Sequence, residues 1–395
     1  MEALHFSVSS QFLTTLGVIL LAGLLISALG QRTLLPRATL LILFGMIIGG
    51  EMLDLLPRLV SAQFPLVADL TLLMVGFLLG GKLTRSSLQE HSSLSLGISL
   101  CAALLPAALV CAGMLAFGIQ LEIAILLGCF AAATAPAAVF DVVEESGIRN
   151  RFSELLLLVV VLDDVWGLML FAIGMAVVSS LNGAAGDVGA ATLIVHELGG
   201  AILLGAVIGL PAAYLTGRIR PGKPVMSEAI GIVLLCGGLA AWLQVSYLIA
   251  AITMGAVITN LARHHEHPFH AIEGIESMFM LVFFVLAGAS LEIGALPTVG
   301  LIALVYIICR SAGKLAGGWL GNRVGGAVAG RLDWIGAALL PQAGVAIGMA
   351  LVASIHFPGY HQIMLPIVIA STIIFEIAGP VFTRHALRHS LRQAD

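Results

Sequence analysis

Long apolar runs, separated at short intervals by polar and charged clusters, fill this sequence almost from end to end. A helix needs about 20 apolar residues to cross a bilayer, and fewer where it is bent or broken. On that rule thirteen spans emerge, at 11–29, 38–55, 64–82, 93–117, 121–144, 153–181, 193–216, 226–243, 246–262, 273–294, 298–320, 332–355 and 361–384. The second includes Glu51 and Asp54. The pattern predicts an all-α membrane protein.

Composition agrees. Of 395 residues, 59% are hydrophobic and 10% charged, against about 25% charged in soluble domains. A net charge of −4 with no long basic run gives nucleic acid no footprint. No nucleotide-binding motif is present, which argues against direct coupling to ATP. The expected partner is membrane lipid. Cys101, Cys111, Cys129, Cys236 and Cys309 all lie in apolar stretches without the spacing of a zinc site or disulfide framework, so they read as packing residues. The first apolar run follows a segment without Lys or Arg and reads as a retained helix, not a cleaved signal.

Short cytoplasmic loops carry excess Lys and Arg, which tests the span count. One side collects Arg32, Arg37, Lys82, Arg85, Arg149, Arg151, Arg218, Arg220, Lys223, Arg263, Arg323, Arg331, Arg384, Arg388 and Arg392; the other holds only Arg58. An odd number of spans then puts the N-terminus outside and the C-terminus in the cytoplasm. Only Arg310 and Lys314, within a span, stay unassigned.

Two landmarks repeat. Phe77-Leu-Leu-Gly-Gly81 is matched by Phe284-Val-Leu-Ala-Gly288, 207 positions on, and Pro136 in Thr134-Ala-Pro136 is matched by Pro341 in Pro341-Gln-Ala-Gly344, 205 positions on. Paired Gly/Pro-interrupted spans point to inverted repeats meeting at a midplane site. Residues 1–181 then form one six-helix repeat, 182–225 a linking helix and 226–395 the second repeat. Proline removes a backbone donor and clashes with the preceding turn, so Pro136 and Pro341 should unwind their spans. Unwound backbone at membrane depth is tolerated only inside protein or beside a watery cavity.

Asp163-Asp164 lies near the middle of the sixth span. A charge there costs about 2.5–3.5 kcal/mol on insertion scales, which makes it a functional candidate. Adjacent helical positions point about 100° apart, so one carboxylate can face an ion while the other faces a basic partner. Lys314 falls one turn after Arg310 on the same face and is a candidate proton carrier. Arg310 keeps its charge and suits either a fixed partner role, toward an acid or broken-helix carbonyls, or snorkelling from the span end. Glu376 could pair with Arg310 or pack beside a half-helix, and Asp69 could gate or cap the third span. Asp141, Glu144 and Glu145 close the fifth span near Arg149 and Arg151, where surface pairing competes with a cation funnel. His264, His265, His267 and His270 cluster with Glu266; they read as a solvated loop or a pH sensor.

With these residues the chain resembles the cation:proton antiporter superfamily, in particular its NapA-like sodium/proton branch and the Kef-like potassium carriers. The likeness runs through the Gly-rich third span, Thr134-Ala-Pro136, Asp163-Asp164, Gly255, Phe284 to Gly288, Gly313-Lys314 and Pro341-Gln342. It implies an NhaA/NapA-like fold with interleaved dimerisation and moving core domains, the fifth and twelfth spans crossing beside the aspartates. It further implies a homodimer, with Asp164 binding the cation together with Thr134 and Asp163 alternating between the ion and Lys314. The electrogenic type, two protons against one sodium, is the one it suggests. One departure is Ala135, where relatives carry Ser or Asp, which removes an oxygen ligand. The reading is therefore a non-enzymatic secondary transporter of a bacterial inner membrane with no cofactor beyond its transported ions. Alternatives are a potassium/proton antiporter, a sodium-coupled organic anion symporter of similar fold, a gated channel, or a sensor that has lost transport.

Reporter fusions after residue 395 test the orientation. Green fluorescent protein should fluoresce there and alkaline phosphatase stay inactive; the reverse result refutes the assigned topology.

Overall fold

The computed structural model describes residues 8–30, 37–50, 52–84, 93–184, 190–215, 226–262, 266–290, 296–325, 334–342 and 344–392. All regular structure among them is helical: α1 (Val8–Gly30), α2 (Arg37–Ile48), α3 (Phe64–Lys82), α4 (Ser93–Ala116), α5 (Leu121–Ala132), α6 (Pro136–Ser146), α7 (Arg151–Ser179), α8 (Ala190–Leu215), α9 (Met226–Trp242), α10 (Tyr247–Leu261), α11 (Glu266–Ala289), α12 (Leu296–Val324), α13 (Val345–His356) and α14 (His361–Arg392), with single turns at Arg58–Ser61 and Ile335–Ala338. Seven helices among the described residues are long and apolar enough to cross a membrane. Shorter apolar helices, α5 and α13 included, lie among them.

Some expected boundaries shift. The run assigned to 38–55 is helical only to Ile48; beyond the Gly49-Gly50 pair the chain turns, with Asp54 exposed at φ 48°. Two glycines weaken helix propagation, and the acid stays in contact with solvent. The tenth run begins earlier than 273 and stops at Ala289, and the last helix continues to Arg392. Glu51, His264, His265 and Ala343, together with Arg32, Arg85, Arg218, Arg220, Lys223, Arg263 and Arg331, lie outside the described residues. His270 is exposed and faces Glu273 at 3.1 Å. The five cysteines are free thiols.

Prolines divide into two kinds. Pro106, Pro211, Pro366 and Pro380 sit inside continuous helices, whereas Pro136 opens α6 after an extended stretch at 133–135. Pro341 lies in the non-helical stretch after Ile335–Ala338. The two interruptions face one another: the Ala135 N–H donates to the Pro341 carbonyl at 3.0 Å.

Glycines let the framework helices meet backbone to backbone, as small residues do in membranes. A Cβ at Gly255 of α10 would fall 2.2 Å from the Phe77 carbonyl of α3, and one at Gly80 of α3 would fall 2.1 Å from the Ile252 carbonyl of α10. Likewise Gly45 of α2 sits on the Val285 carbonyl and Gly288 of α11 on the Ile42 carbonyl. On α12, Gly313 presses on Pro106 and Gly317 on Cys101 of α4.

Gly288→Ala should therefore destabilise the protein, because its methyl would meet the Ile42 oxygen at 2.0 Å; overpacking of this kind costs about 1–3 kcal/mol. Gly17→Ala, with nothing within 4 Å, is the control. Thermal unfolding in detergent should show the first variant melting lower and the second unchanged.

Candidate functional site

α7 begins with a reciprocal cap. The Asn150 side chain accepts from the Ser153 N–H at 2.9 Å, while Ser153 Oγ accepts from the Asn150 N–H at 2.9 Å. Asn150 Nδ2 also donates to Ser390 Oγ at 3.0 Å, tying α7 to α14. Further along, Trp166 Nε1 donates to Ser99 Oγ of α4 at 3.1 Å. Gly167 completes the positioning: a Cβ there would approach Ala133 to 3.1 Å, so its absence lets α7 lie against the first interruption. Asp163 and Asp164 are thereby buried, at 0% and 2% exposure.

The two acids meet different surroundings. Asp163 Oδ2 accepts from Lys314 Nζ at 2.5 Å and from the Thr134 hydroxyl. Lys314 is wholly buried and spends all three N–H donors: besides Asp163 it reaches the Ala132 carbonyl at 2.5 Å and Thr134 Oγ1 at 2.9 Å. Asp164 points elsewhere, and its Oδ1 is buried without a hydrogen-bond partner. Asp163 Oδ1 is also unpartnered. An unpaired buried carboxylate oxygen is costly, so this cluster leaves acceptor capacity that a proton or a hard cation would satisfy.

The carbonyls freed by the two interruptions are nearly all accounted for. Ala132 O is held by Lys314, and Ala133 O by Arg310 at 2.9 Å. In the second interruption Ala338 O accepts from Thr383 at 3.0 Å and Leu340 O from Arg310 at 2.7 Å, while Leu339 O, 3.2 Å from the Thr134 hydroxyl, competes with Asp163 for its single hydrogen. Pro341 O accepts from the Ala135 N–H and, at 3.5 Å, from Arg310. A helix C-terminus carries partial negative charge, so both cations sit where the end of α5 favours them. Arg310 does not snorkel: it is fully buried, with its guanidinium 4.3 Å above the Phe375 ring.

Thus Asp163, Thr134, Lys314, Arg310, Pro136 and Pro341 converge, with Asp164 beside them. Gln342 is buried one step away, donating to Tyr306 OH at 3.1 Å and accepting from Ser371 at 3.4 Å. Glu376 is buried next to Phe375 in α14. Ala135 contributes a backbone donor where its methyl offers no ligand. Asp69 stands apart, hydrogen-bonded by Tyr247 at 3.0 Å. Asp141 and Glu144 are exposed. Sequence reasoning missed Tyr306, Phe375, Thr383 and Gly167. Tyr306 was findable, since Tyr306, Arg310 and Lys314 share one face at four-residue spacing.

An all-helical membrane fold with two facing helix interruptions and a buried acid–lysine cluster defines an integral membrane carrier. The chain belongs to the transmembrane sodium/hydrogen exchanger family, whose model matches residues 16–387. It is similar to the ammonium/H(+) antiporter subunit AmhT of Alkalihalophilus pseudofirmus, 22% identical over 312 residues, spanning 77% of this chain and 78% of that one. Its fold matches the sodium proton antiporter MjNhaP1 from Methanocaldococcus jannaschii at pH 8, with a TM-score of 0.73, 19% identity, and 96% and 97% of the two chains covered. An electron-microscopy map of the same antiporter gives 0.68 at 17% identity, covering 94% and 95%.

Lys314→Ala would strand Asp163 in the interior, a loss expected to cost about 3–5 kcal/mol. Asp163→Asn combined with Lys314→Ala should cost less than the two single changes together, because neither charge is then left alone. Thermal melts of the single and double variants in detergent measure this; strict additivity would refute the coupling.

Proposed function

We propose that this protein exchanges a monovalent cation, sodium first, for protons by alternating access. The observation that carries the reading is the unequal pair at 163 and 164: each has a buried oxygen without a partner, but one acid is paired with Lys314 while its neighbour has no ion pair to a described residue. A carboxylate holding a proton is a poor cation ligand, and one coordinating a cation has given its proton up. Exchange follows from that exclusion, provided the site crosses between faces only when neutralised.

In this mechanism the incoming cation binds Asp164 and draws Asp163 away from Lys314. Thr134, released from the ammonium, then turns its oxygen to the ion. Losing Asp163 leaves Lys314 buried beside Arg310 with less compensation, which favours loss of its proton. Two protons are displaced per cation, which makes the cycle electrogenic. Arg310 keeps its charge and holds the interrupted helices throughout.

Two inverted repeats are part of the proposal. Their support is the reciprocal glycine contacts of α3 with α10 and of α11 with α2, and the mutual hydrogen bonding of the two interruptions. A homodimer with interleaved framework and moving domains completes it. The ammonium named for the AmhT relative puts that ion in the test panel with lithium and potassium.

Proteoliposomes holding the purified protein and a pH-sensitive dye should report proton movement when sodium is added, and Asp164→Asn should abolish it. Undiminished exchange in that variant refutes the mechanism. Sodium-dependent uptake of an organic anion without proton movement would favour a symporter instead.

A further inference from the structure

Arg310 and Asp163 each hold an open position that would suit the other. Arg310 Nε is buried without a hydrogen-bond partner, and so is Asp163 Oδ1. Their surroundings adjoin: Arg310 holds the Ala133 carbonyl at 2.9 Å, while Lys314, one turn further along α12, holds the Ala132 carbonyl and Asp163 Oδ2, each at 2.5 Å. An arginine fork can meet a carboxylate through two parallel hydrogen bonds, which a lysine cannot, and so makes the stronger pair. Asp163 nevertheless takes the lysine.

Backbone and an aromatic face together hold the guanidinium back. Its Nη1 donates to the Leu340 carbonyl at 2.7 Å, and Nη2 is shared between the Ala133 carbonyl and that of Pro341 at 3.5 Å. Its Cζ lies 4.3 Å from the centroid of the buried Phe375 ring. That ring is anchored on both sides along α14. One turn before it, Ser371 donates to Gln342 Oε1 at 3.4 Å; one turn after it, a Cβ at Gly379 would fall 2.7 Å from the Pro341 Cα. α14 thus grips the second interruption above and below Phe375 and presents the ring to the guanidinium. A cation over an aromatic face is attracted most strongly where water is excluded.

We propose that Phe375 is a positioning residue that reserves Asp163 for Lys314: by fixing the guanidinium over its ring, it stops Arg310 from turning Nε toward Asp163 Oδ1. The consequence for transport rests on the exchange reading above; the geometry does not. Arginine does not release its proton. An Asp163–Arg310 pair would therefore stall a cycle in which the acid must leave its partner and the partner must discharge. Lysine can do both. The ring in this way selects which of two neighbouring cations takes part in exchange.

The test replaces Phe375 in the full-length protein by mono-, di- and trifluorinated phenylalanine, which withdraw negative charge from the ring face while barely changing its size, and by leucine, which removes the face. Proton movement on adding sodium to proteoliposomes should slow step by step along the fluorine series, and by about tenfold in Phe375→Leu. Melting in detergent reads the same selection without transport. With Phe375→Leu present, Arg310 is free to take Asp163, so adding Lys314→Ala should lower the melting temperature by no more than about half of its effect in the wild type. Should Phe375→Leu not fold, the trifluorinated protein takes its place in that cycle. A rate unchanged along the fluorine series, which would leave Arg310 held by its carbonyls or by the neighbouring buried Glu376, overturns the inference, as does an undiminished effect of Lys314→Ala. Absence of proton movement in the wild type would instead overturn the exchange reading, while the melting cycle would still decide this one.

Discussion

Everything at the centre of this protein depends on two buried cations holding open the backbone of two helices. Breaking a helix within a membrane frees carbonyls that lipid cannot satisfy. Here Lys314 and Arg310, one turn apart on α12, supply donors to four of them, Ala132, Ala133, Leu340 and Pro341, the last shared with the Ala135 amide, while Thr383 takes Ala338. Neither interruption could stand alone, since each borrows partners from the other or from α12. The positive charges in turn need an acid, and Asp163 is that acid. Ion pair and unwound backbone form one interdependent unit, which explains why so many costly groups share so small a volume.

Asp164 derives its character from what that unit leaves over. Two successive residues on α7 diverge by about 100°, so one acid meets Lys314 and its neighbour does not. The fold thus gives two acids different surroundings by a single step along the chain, without any difference in residue type. The same division sets the part each plays in the proposed cycle: one acid moves between partners, and its neighbour trades proton for cation.

Much of this was legible in the chain. The apolar runs located the helices, because the bilayer leaves a spanning segment little alternative to being apolar and helical. The acids, the lysine and the arginine stood out because membrane-depth charge is too expensive to be incidental. Pro136 and Pro341 were distinguished by matching positions, a signal that Pro106, Pro211, Pro366 and Pro380 lack; those four remain within continuous helices. The end of the second run was misjudged, since hydropathy averaging carried the helix past Gly49-Gly50 into turns that expose Asp54.

By itself, then, the chain determined its class of solvent, the location of its helices and the identity of its costly residues, since these depend on local transfer energies and on the 3.6-residue period. Only the tertiary structure decided which partner each costly residue took. Arg310 faces carbonyls and an aromatic ring, Lys314 takes Asp163 over Asp164, and Gly167 opens room for α7. Such choices arise from contacts between segments more than a hundred residues apart, such as Lys314 with Asp163 and Arg310 with Ala133, and no local pattern encodes the distance or direction between them.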